Sequence, residues 1–128
     1  MANAKTTTQS TGRSSASSRP SKASRHEEPG NPMVTCAQTC AQTLDHCLSQ
    51  GGEHAEAEHI KGLIDCIEVC ELAARMEARN SMWSEYVMEL CAQVCRECET
   101  SCSAFEGDEA MQACAEACRA CAEHCEDM

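Results

Sequence analysis

Residues 91–102 read CAQVCRECETSC, and residues 114–125 read CAEACRACAEHC. Both stretches follow the pattern C-x3-C-x2-C-x3-C, so one unit occurs twice in the C-terminal third of the chain. Spacings of three, four and seven residues keep side chains on one face of an α-helix. The pattern therefore predicts two helices, each with four cysteines along a single face.

The other five cysteines obey the same spacing rule in two earlier segments: Cys36, Cys40, Cys47, Cys66 and Cys70. All thirteen cysteines follow residue 33, and so do the only thirteen Leu, Ile, Val and Phe residues. These four residue types make up about a tenth of the sequence, whereas a highly charged chain with less than roughly a fifth is expected to be disordered. Because a protonated cysteine packs as a small hydrophobe, cysteine supplies the missing core material.

Turn and capping residues divide this part of the chain into four helices. Asn31, Ser81 and Asp108 are suitable N-caps, while Gly51 and Asn80 tolerate the backbone that ends a helix. Short connections between four helices favour an all-α, antiparallel up-down-up-down four-helix bundle over residues 31–128. The predicted helices span about residues 32–49, 53–78, 82–104 and 109–128.

The N-terminal segment has a different composition. Residues 1–25 carry five Lys and Arg side chains and no acid, whereas all 21 acids and only five basic residues follow. A segment so poor in apolar side chains cannot offset the entropy lost on ordering. Residues 1–30 are therefore predicted to be a disordered, basic, Ser/Thr-rich tail.

The cysteine faces continue into methionine and histidine at both ends. With a rise of about 1.5 Å per residue, the thiols form one continuous column about 20 Å long. His59 and Met111 cap one end, and Met33, Met88 and Met128 cap the other. We interpret His59, Met33, Met88 and Met111 as possible metal-entry residues. His46, His54 and His124 lie off the column and are predicted to be surface residues.

An apolar stripe on the third predicted helix runs beside the cysteine face. It consists of Trp83, Val87, Leu90 and Val94. Such a stripe can close helix against helix, or subunit against subunit.

The column of thiols points to Cu(I). Soft thiolate and thioether ligands select soft metals, of which Cu(I) is foremost among biologically available ions. Thirteen buried thiolates would be intolerable without compensating charge, so the empty protein must hold thiols. Each Cu(I) that enters replaces one proton and keeps the interior neutral. Two sulfurs per ion and two ions per bridging sulfur give about one Cu(I) per cysteine.

Two alternatives remain open, namely a zinc–thiolate buffer and a thiol-packed structural or redox-stress bundle. Zinc wants four tetrahedral ligands, usually drawn from loops, whereas both C-x2-C pairs here lie in the middle of helices. An iron–sulfur protein lacks support because no C-x2-C-x2-C run occurs. An odd cysteine count and same-helix spacings also disfavour a disulfide scaffold.

Composition argues against several other functions. The acidic body lacks the Lys and Arg face that binding to nucleic acid needs, and no apolar run is long enough to cross a membrane. The N-terminus has no apolar segment typical of a secretory signal, so we expect a cytoplasmic protein. No nucleophile–base set or phosphate-binding loop indicates an enzyme.

Residues 32–127 resemble the bacterial cysteine-rich four-helix-bundle copper storage proteins. The resemblance rests on C-x3-C pairs on all four helices and on the matching cysteines of helices three and four. It implies a bundle filled with Cu(I)–thiolate clusters, a homotetramer and, without a signal, the cytosolic branch of the family. Thr43, His59 and Leu63 stand where further cysteines would fit, which implies a thinner cluster there.

The predicted metal ligands are all thirteen cysteines: Cys36, Cys40, Cys47, Cys66, Cys70, Cys91, Cys95, Cys98, Cys102, Cys114, Cys118, Cys121 and Cys125.

Overall fold

The structure, a computed structural model, describes residues 30–127. Four α-helices and one short 3-10 helix make up this region, and no strand occurs within it. The predicted disordered tail and the predicted role of Met128 lie outside the described residues. The helices are α1 Pro32–Gln50, α2 Ala57–Ala78, α3 Ser84–Ser103 and α4 Glu109–Glu126, and the 3-10 helix is Gly52–Ala55.

The four helices form the predicted up-down-up-down bundle. Each helix packs against the next one along the chain, and α4 packs against α1. The short connections reverse the chain direction at every step, so neighbouring helices are antiparallel. Within residues 30–127 no helix is both long enough and apolar enough to span a membrane.

Two of the predicted N-caps are confirmed by hydrogen bonds. The Asn31 side chain accepts from the Met33 amide at 2.8 Å, and Pro32 follows in the first turn. The Asp108 carboxylate accepts from the amides of Ala110 and Met111 at 3.1 and 3.2 Å. These contacts satisfy amides that have no partner within the helix.

The start of α2 differs from the prediction. Residues 52–55 form a 3-10 helix, Glu56 is extended, and the α-helix begins at Ala57 and not near residue 53. Gly51 and Gly52 both adopt positive φ, at 71° and 56°. The chain needs this tight double-glycine turn to reverse direction, so the regular helix starts only after the reversal is complete.

The prediction that Ser81 caps the third helix is wrong. The α2 helix ends as predicted before Asn80, which adopts φ 54°, but α3 starts at Ser84. The Ser81 hydroxyl accepts from the Trp83 amide at 3.1 Å, and its carbonyl accepts from the Ser84 amide at 3.1 Å. Ser81 therefore stabilises the turn that precedes the helix.

Cysteine forms most of the core, as the composition predicts. All thirteen cysteines are buried, and they share the interior with small or flexible apolar residues. The residues that accompany them include Met33, Ala37, Leu63, Ala73, Met88, Met111 and Ala122.

The apolar stripe on α3 divides between the core and the surface. Val87 is buried and Val94 is partly buried against the core. Trp83 and Leu90 are more than half exposed, at 58% and 52%. Within one chain the stripe therefore closes the bundle only in part.

Candidate metal centre

Ten of the thirteen sulfurs form four groups of four, in which all sulfurs lie within 4.8 Å of one another. Each group draws its cysteines from three of the four helices. In order along the bundle, the groups are Cys40–Cys98–Cys114–Cys118, Cys36–Cys40–Cys66–Cys118, Cys36–Cys66–Cys70–Cys95 and Cys70–Cys91–Cys95–Cys121.

Consecutive groups share two cysteines each. Cys40 and Cys118 belong to the first two groups, the second and third share Cys36 and Cys66, and the last two share Cys70 and Cys95. The sharing arises because cysteines of these groups that are four residues apart on one helix face lie together in one group, and at least one of each pair also belongs to a neighbouring group. The predicted column of thiols is therefore present in the structure and is continuous through these ten cysteines.

The separations between sulfurs suit metal bridging. Contacting thiols lie 3.6–3.9 Å apart, too far for a disulfide bond of about 2.05 Å. Two metal–sulfur bonds of about 2.3 Å separate their sulfurs by about 3.8 Å at a tetrahedral angle and 4.6 Å when linear. Adjacent thiols can therefore hold an ion at a tetrahedral angle almost as they stand, and in a linear arrangement after moving apart by about 0.7–1.0 Å.

Cys47, Cys102 and Cys125 lie outside these groups. Cys102 is close to Cys98 and Cys114 at one end of the column, and Cys125 is close to Cys91 and Cys121 at the other. Both therefore extend the column. Cys47 is set apart, because its nearest polar neighbours are not thiols.

Cys47 contacts the two residues that were predicted to cap this end. Its sulfur lies 3.3 Å from Nε2 of His59, and its S–H donates to Sδ of Met111 at 3.6 Å. His59 Nδ1 lies 2.6 Å from the Ser101 hydroxyl, which orients the ring. The structure thus brings a thiol, an imidazole and a thioether together at one end of the column.

Thr43, Leu63 and His59 together explain why Cys47 is separate. Thr43 and Leu63 are buried in the interior, where further cysteines would have joined Cys47 to the groups. The Thr43 hydroxyl donates to the Thr39 carbonyl at 2.8 Å, so it needs no partner in the core. With His59, these residues interrupt the thiols near this end.

Burial and thiol–thiol contacts govern the acidity of the column. Burial raises the pKa of Cys47 to about 11. The pKa of Cys102 is raised because Cys114 and Cys98 accept its hydrogen bond, and burial acts in the same direction. Cys114, which is stabilised as an acceptor chiefly by Cys102, has its pKa lowered. Each contact between two thiols therefore favours loss of the proton at the accepting sulfur and its retention at the donating sulfur.

A groove between α2 and α3 leads to the column near the same end. It has a volume of about 560 Å³, and His59 and Cys98 lie at its base. They are only 9% and 4% exposed, yet both line this groove. Burial lowers the pKa of His59, which favours the neutral, ligand-competent imidazole. The rim is acidic, with Glu56, Glu58, Asp65 and Glu97.

The remaining predicted entry residues are interior side chains. Met33 is fully buried, and Met88 is 2% exposed. Methionine at such positions fills core space and can also offer a soft thioether to a metal. Neither the groove nor its acidic rim was predicted, because both depend on how α2 packs against α3.

The described residues thus define a class of protein. It is a helical bundle whose interior is an array of thiols able to hold many soft metal ions. The model of the copper storage protein family matches residues 22–128. The chain belongs to the copper storage protein family.

Solved structures of other copper storage proteins are similar to this chain. A Cu(I)-bound copper storage protein, BsCsp3, is 30% identical, with a TM-score of 0.71 over 84% of this chain and 96% of that one. The Streptomyces lividans Ccsp loaded with 10 copper equivalents is 32% identical, with a TM-score of 0.69 over 75% and 76% of the two chains. YhjQ, a cysteine-rich protein of Bacillus subtilis, is 33% identical over 73 residues, which cover 54% of this chain and 68% of that protein.

Proposed function

We propose that this protein stores copper by binding about one Cu(I) per cysteine as thiolate clusters inside the bundle. The observation that carries the proposal is the overlap of the four thiol groups, each of which shares two cysteines with the next. A sensor or a shuttle needs one or two sites, whereas overlapping groups provide capacity. All thirteen cysteines are proposed as ligands.

Charge favours Cu(I) over Zn(II) in this interior. A Zn(II) site of four thiolates carries a net charge of −2, and no buried Lys or Arg side chain among residues 30–127 offsets it. Cu(I) exchanges with one proton per thiol and leaves the interior neutral. Burying uncompensated charge is costly, so the column is matched to a monovalent soft ion.

A competition experiment separates the copper store from the zinc buffer. Reduced apoprotein is exposed anaerobically to equal excesses of Cu(I) and Zn(II), desalted, and analysed for both metals. We expect many copper ions per chain and at most about one zinc ion. Several zinc ions per chain with little copper would favour the zinc buffer, and neither metal would favour a thiol-packed structural bundle.

We propose that copper enters through the groove between α2 and α3. The acidic rim attracts cations, and the base offers the first ligands, the His59 imidazole and the Cys98 thiol. From there, Cys98 belongs to the first thiol group, and Cys47 contacts both His59 and Met111. Met33 and Met88 are proposed to assist copper movement at the far end of the column.

Gly62 allows a test of this route. It lines the groove, and a Cβ added there meets no atom within 4 Å. Gly62→Leu is expected to slow Cu(I) loading at least several-fold in stopped-flow measurements, with an unchanged endpoint, because the side chain fills the groove. Gly62→Ala is the matched control and is expected to load at the native rate. Equal rates for all three proteins would exclude this groove as the entry.

We further propose that the protein is a cytoplasmic homotetramer without catalytic activity. Support for assembly comes from a patch of exposed apolar residues at the start of α3, defined by Met82, Trp83, Tyr86 and Leu90. They are 81%, 58%, 66% and 52% exposed. A contiguous apolar patch of this kind is typical of an interaction surface.

The patch predicts how substitutions change the oligomeric state. In light-scattering measurements after size exclusion, the native chain is expected to have about four times the mass of one chain. Trp83→Glu combined with Tyr86→Glu is expected to yield smaller species, because charge in an apolar interface is poorly tolerated. Leu48→Glu, at an exposed apolar position on α1, is the control. An unchanged mass in the double variant would place the interface elsewhere.

A further inference from the structure

Two histidines and one aspartate meet beside the column, outside the thiol groups. Nε2 of His46 and Nε2 of His54 lie 3.0 and 2.9 Å from the same Oδ2 of Asp108. The three side chains come from α1, the 3-10 helix and the N-cap of α4. They are partly buried, with His46 at 28% and the other two at 20% side-chain exposure.

The three ligand atoms have the spacing of a small metal site. All lie within 4.8 Å of one another. In a tetrahedral site with metal–nitrogen and metal–oxygen bonds of about 2.0–2.2 Å, ligand atoms are about 3.3–3.5 Å apart. The observed N···O distances are a few tenths of an ångström shorter, so an ion fits after a small outward shift. Three protein ligands leave the fourth position of a tetrahedral ion for water.

The aspartate is held in place independently of the histidines. Its other oxygen, Oδ1, accepts from the amides of Ala110 and Met111, which fixes the carboxylate at the start of α4. Oδ2 is thereby directed at the two imidazoles. Hydrogen bonds from both histidines hold the pKa of Asp108 well below its usual range, so the carboxylate is anionic at neutral pH. A ligand fixed in this way needs little reorganisation to bind metal.

The chemistry of these ligands differs from that of the column. Imidazole and carboxylate suit divalent ions such as Zn(II), Co(II), Ni(II) and Cu(II), whereas Cu(I) prefers the thiols. The Phe105 ring lies beside His54 and His59, at centroid distances of 4.3 and 5.2 Å. Phe105 thus lies against one histidine of each set.

We propose that His46, His54 and Asp108 form a binding site for one divalent transition-metal ion, distinct from the thiol column. Each imidazole coordinates through Nε2 and carries its proton on Nδ1, so the metal takes the place of the two hydrogen bonds to Oδ2. With this site, the same end of the bundle has imidazole and carboxylate ligands for divalent ions beside the thiols for Cu(I).

The test uses full-length protein whose thiols have first been saturated with Cu(I), so that they do not compete. Zn(II) is then titrated anaerobically by calorimetry, and copper content is measured before and after. We expect one Zn(II) per chain without loss of copper. Co(II) in place of zinc is expected to show a visible spectrum without a thiolate charge-transfer band. Absence of Zn(II) binding would overturn the proposal, and incomplete copper loading would instead count against the proposed storage function.

Substitutions assign the binding to these residues. Asp108→Asn retains a good N-cap but removes the anionic ligand, and His54→Gln retains a hydrogen-bonding group. Each is expected to weaken Zn(II) binding by more than the roughly 10- to 100-fold that losing an outer-shell partner costs. His124→Gln, on the opposite half of α4, is expected to bind like the native protein. Equal affinity in all four proteins, with helicity intact, would overturn the site. Long-range nitrogen NMR of the histidines, in which Zn(II) should shift Nε2 of His46 and His54, provides an independent readout.

Discussion

Cys118→Ala is expected to remove about two or three Cu(I) ions from the loaded protein, since one bridging thiolate contributes to several metals. Cys118 belongs to two of the four thiol groups, and its sulfur lies 3.7 Å from Cys36 and 3.8 Å from Cys40. Removing it leaves neighbouring ions short of a ligand. The capacity is measured as tightly bound Cu(I) in a chelator competition.

Cys125→Ala is the matched control for that experiment. Cys125 is also buried on α4, but it lies at the end of the column and outside the four groups. Its replacement is expected to cost about one ion, because few metals depend on a terminal ligand. Alanine is preferred to serine at both positions, since an unpartnered buried hydroxyl would cost about 1–3 kcal/mol. Equal losses from both variants would show that the thiols act as separate sites.

Copper loading is expected to raise the melting temperature of the bundle by more than about 40 °C. An ion that binds only the folded chain stabilises it by about 4 kcal/mol when present at 1,000 times its Kd. Three such sites already contribute about 12 kcal/mol, and each kcal/mol shifts the Tm of a domain of this size by roughly 4–8 °C. The measurement is thermal unfolding followed by circular dichroism, anaerobically, with and without Cu(I).

The two cysteine variants described above also provide a control for the rise in Tm. Cys118→Ala is expected to gain less from copper than Cys125→Ala, in proportion to the ions each retains. A loaded native protein whose Tm lies within a few degrees of the apoprotein's would mean that copper binds outside the core. A similar rise with Zn(II) alone would argue against the charge-based preference for Cu(I).

The helices and their buried faces could be predicted from sequence because both depend on local periodicity. The cysteine spacing determines which side of each helix is apolar, and Asn31 and Asp108 cap through bonds to residues two or three positions away. The same local reasoning was wrong at Ser81 and near residue 53. There, the geometry of the whole turn, and not one capping side chain, decides where the helix begins.

Features formed between distant segments could not be predicted in this way. The histidines at positions 46 and 54 were expected to be surface residues, yet both contact Asp108, which is more than 50 residues away in the sequence. The groove between α2 and α3 likewise exists only because these helices leave an opening above His59 and Cys98. By contrast, the interior positions of Thr43 and Leu63 agree with the gap in the cysteine pattern.

The central claim is that the thiols act as one continuous copper store. Anaerobic titration of the reduced apoprotein with Cu(I), against a chromogenic chelator that reports free copper, tests it most directly. An endpoint near one tightly held ion per cysteine, with helicity retained throughout, is the predicted result. An endpoint of only one or two ions per chain, with the remaining thiols still free, would contradict it.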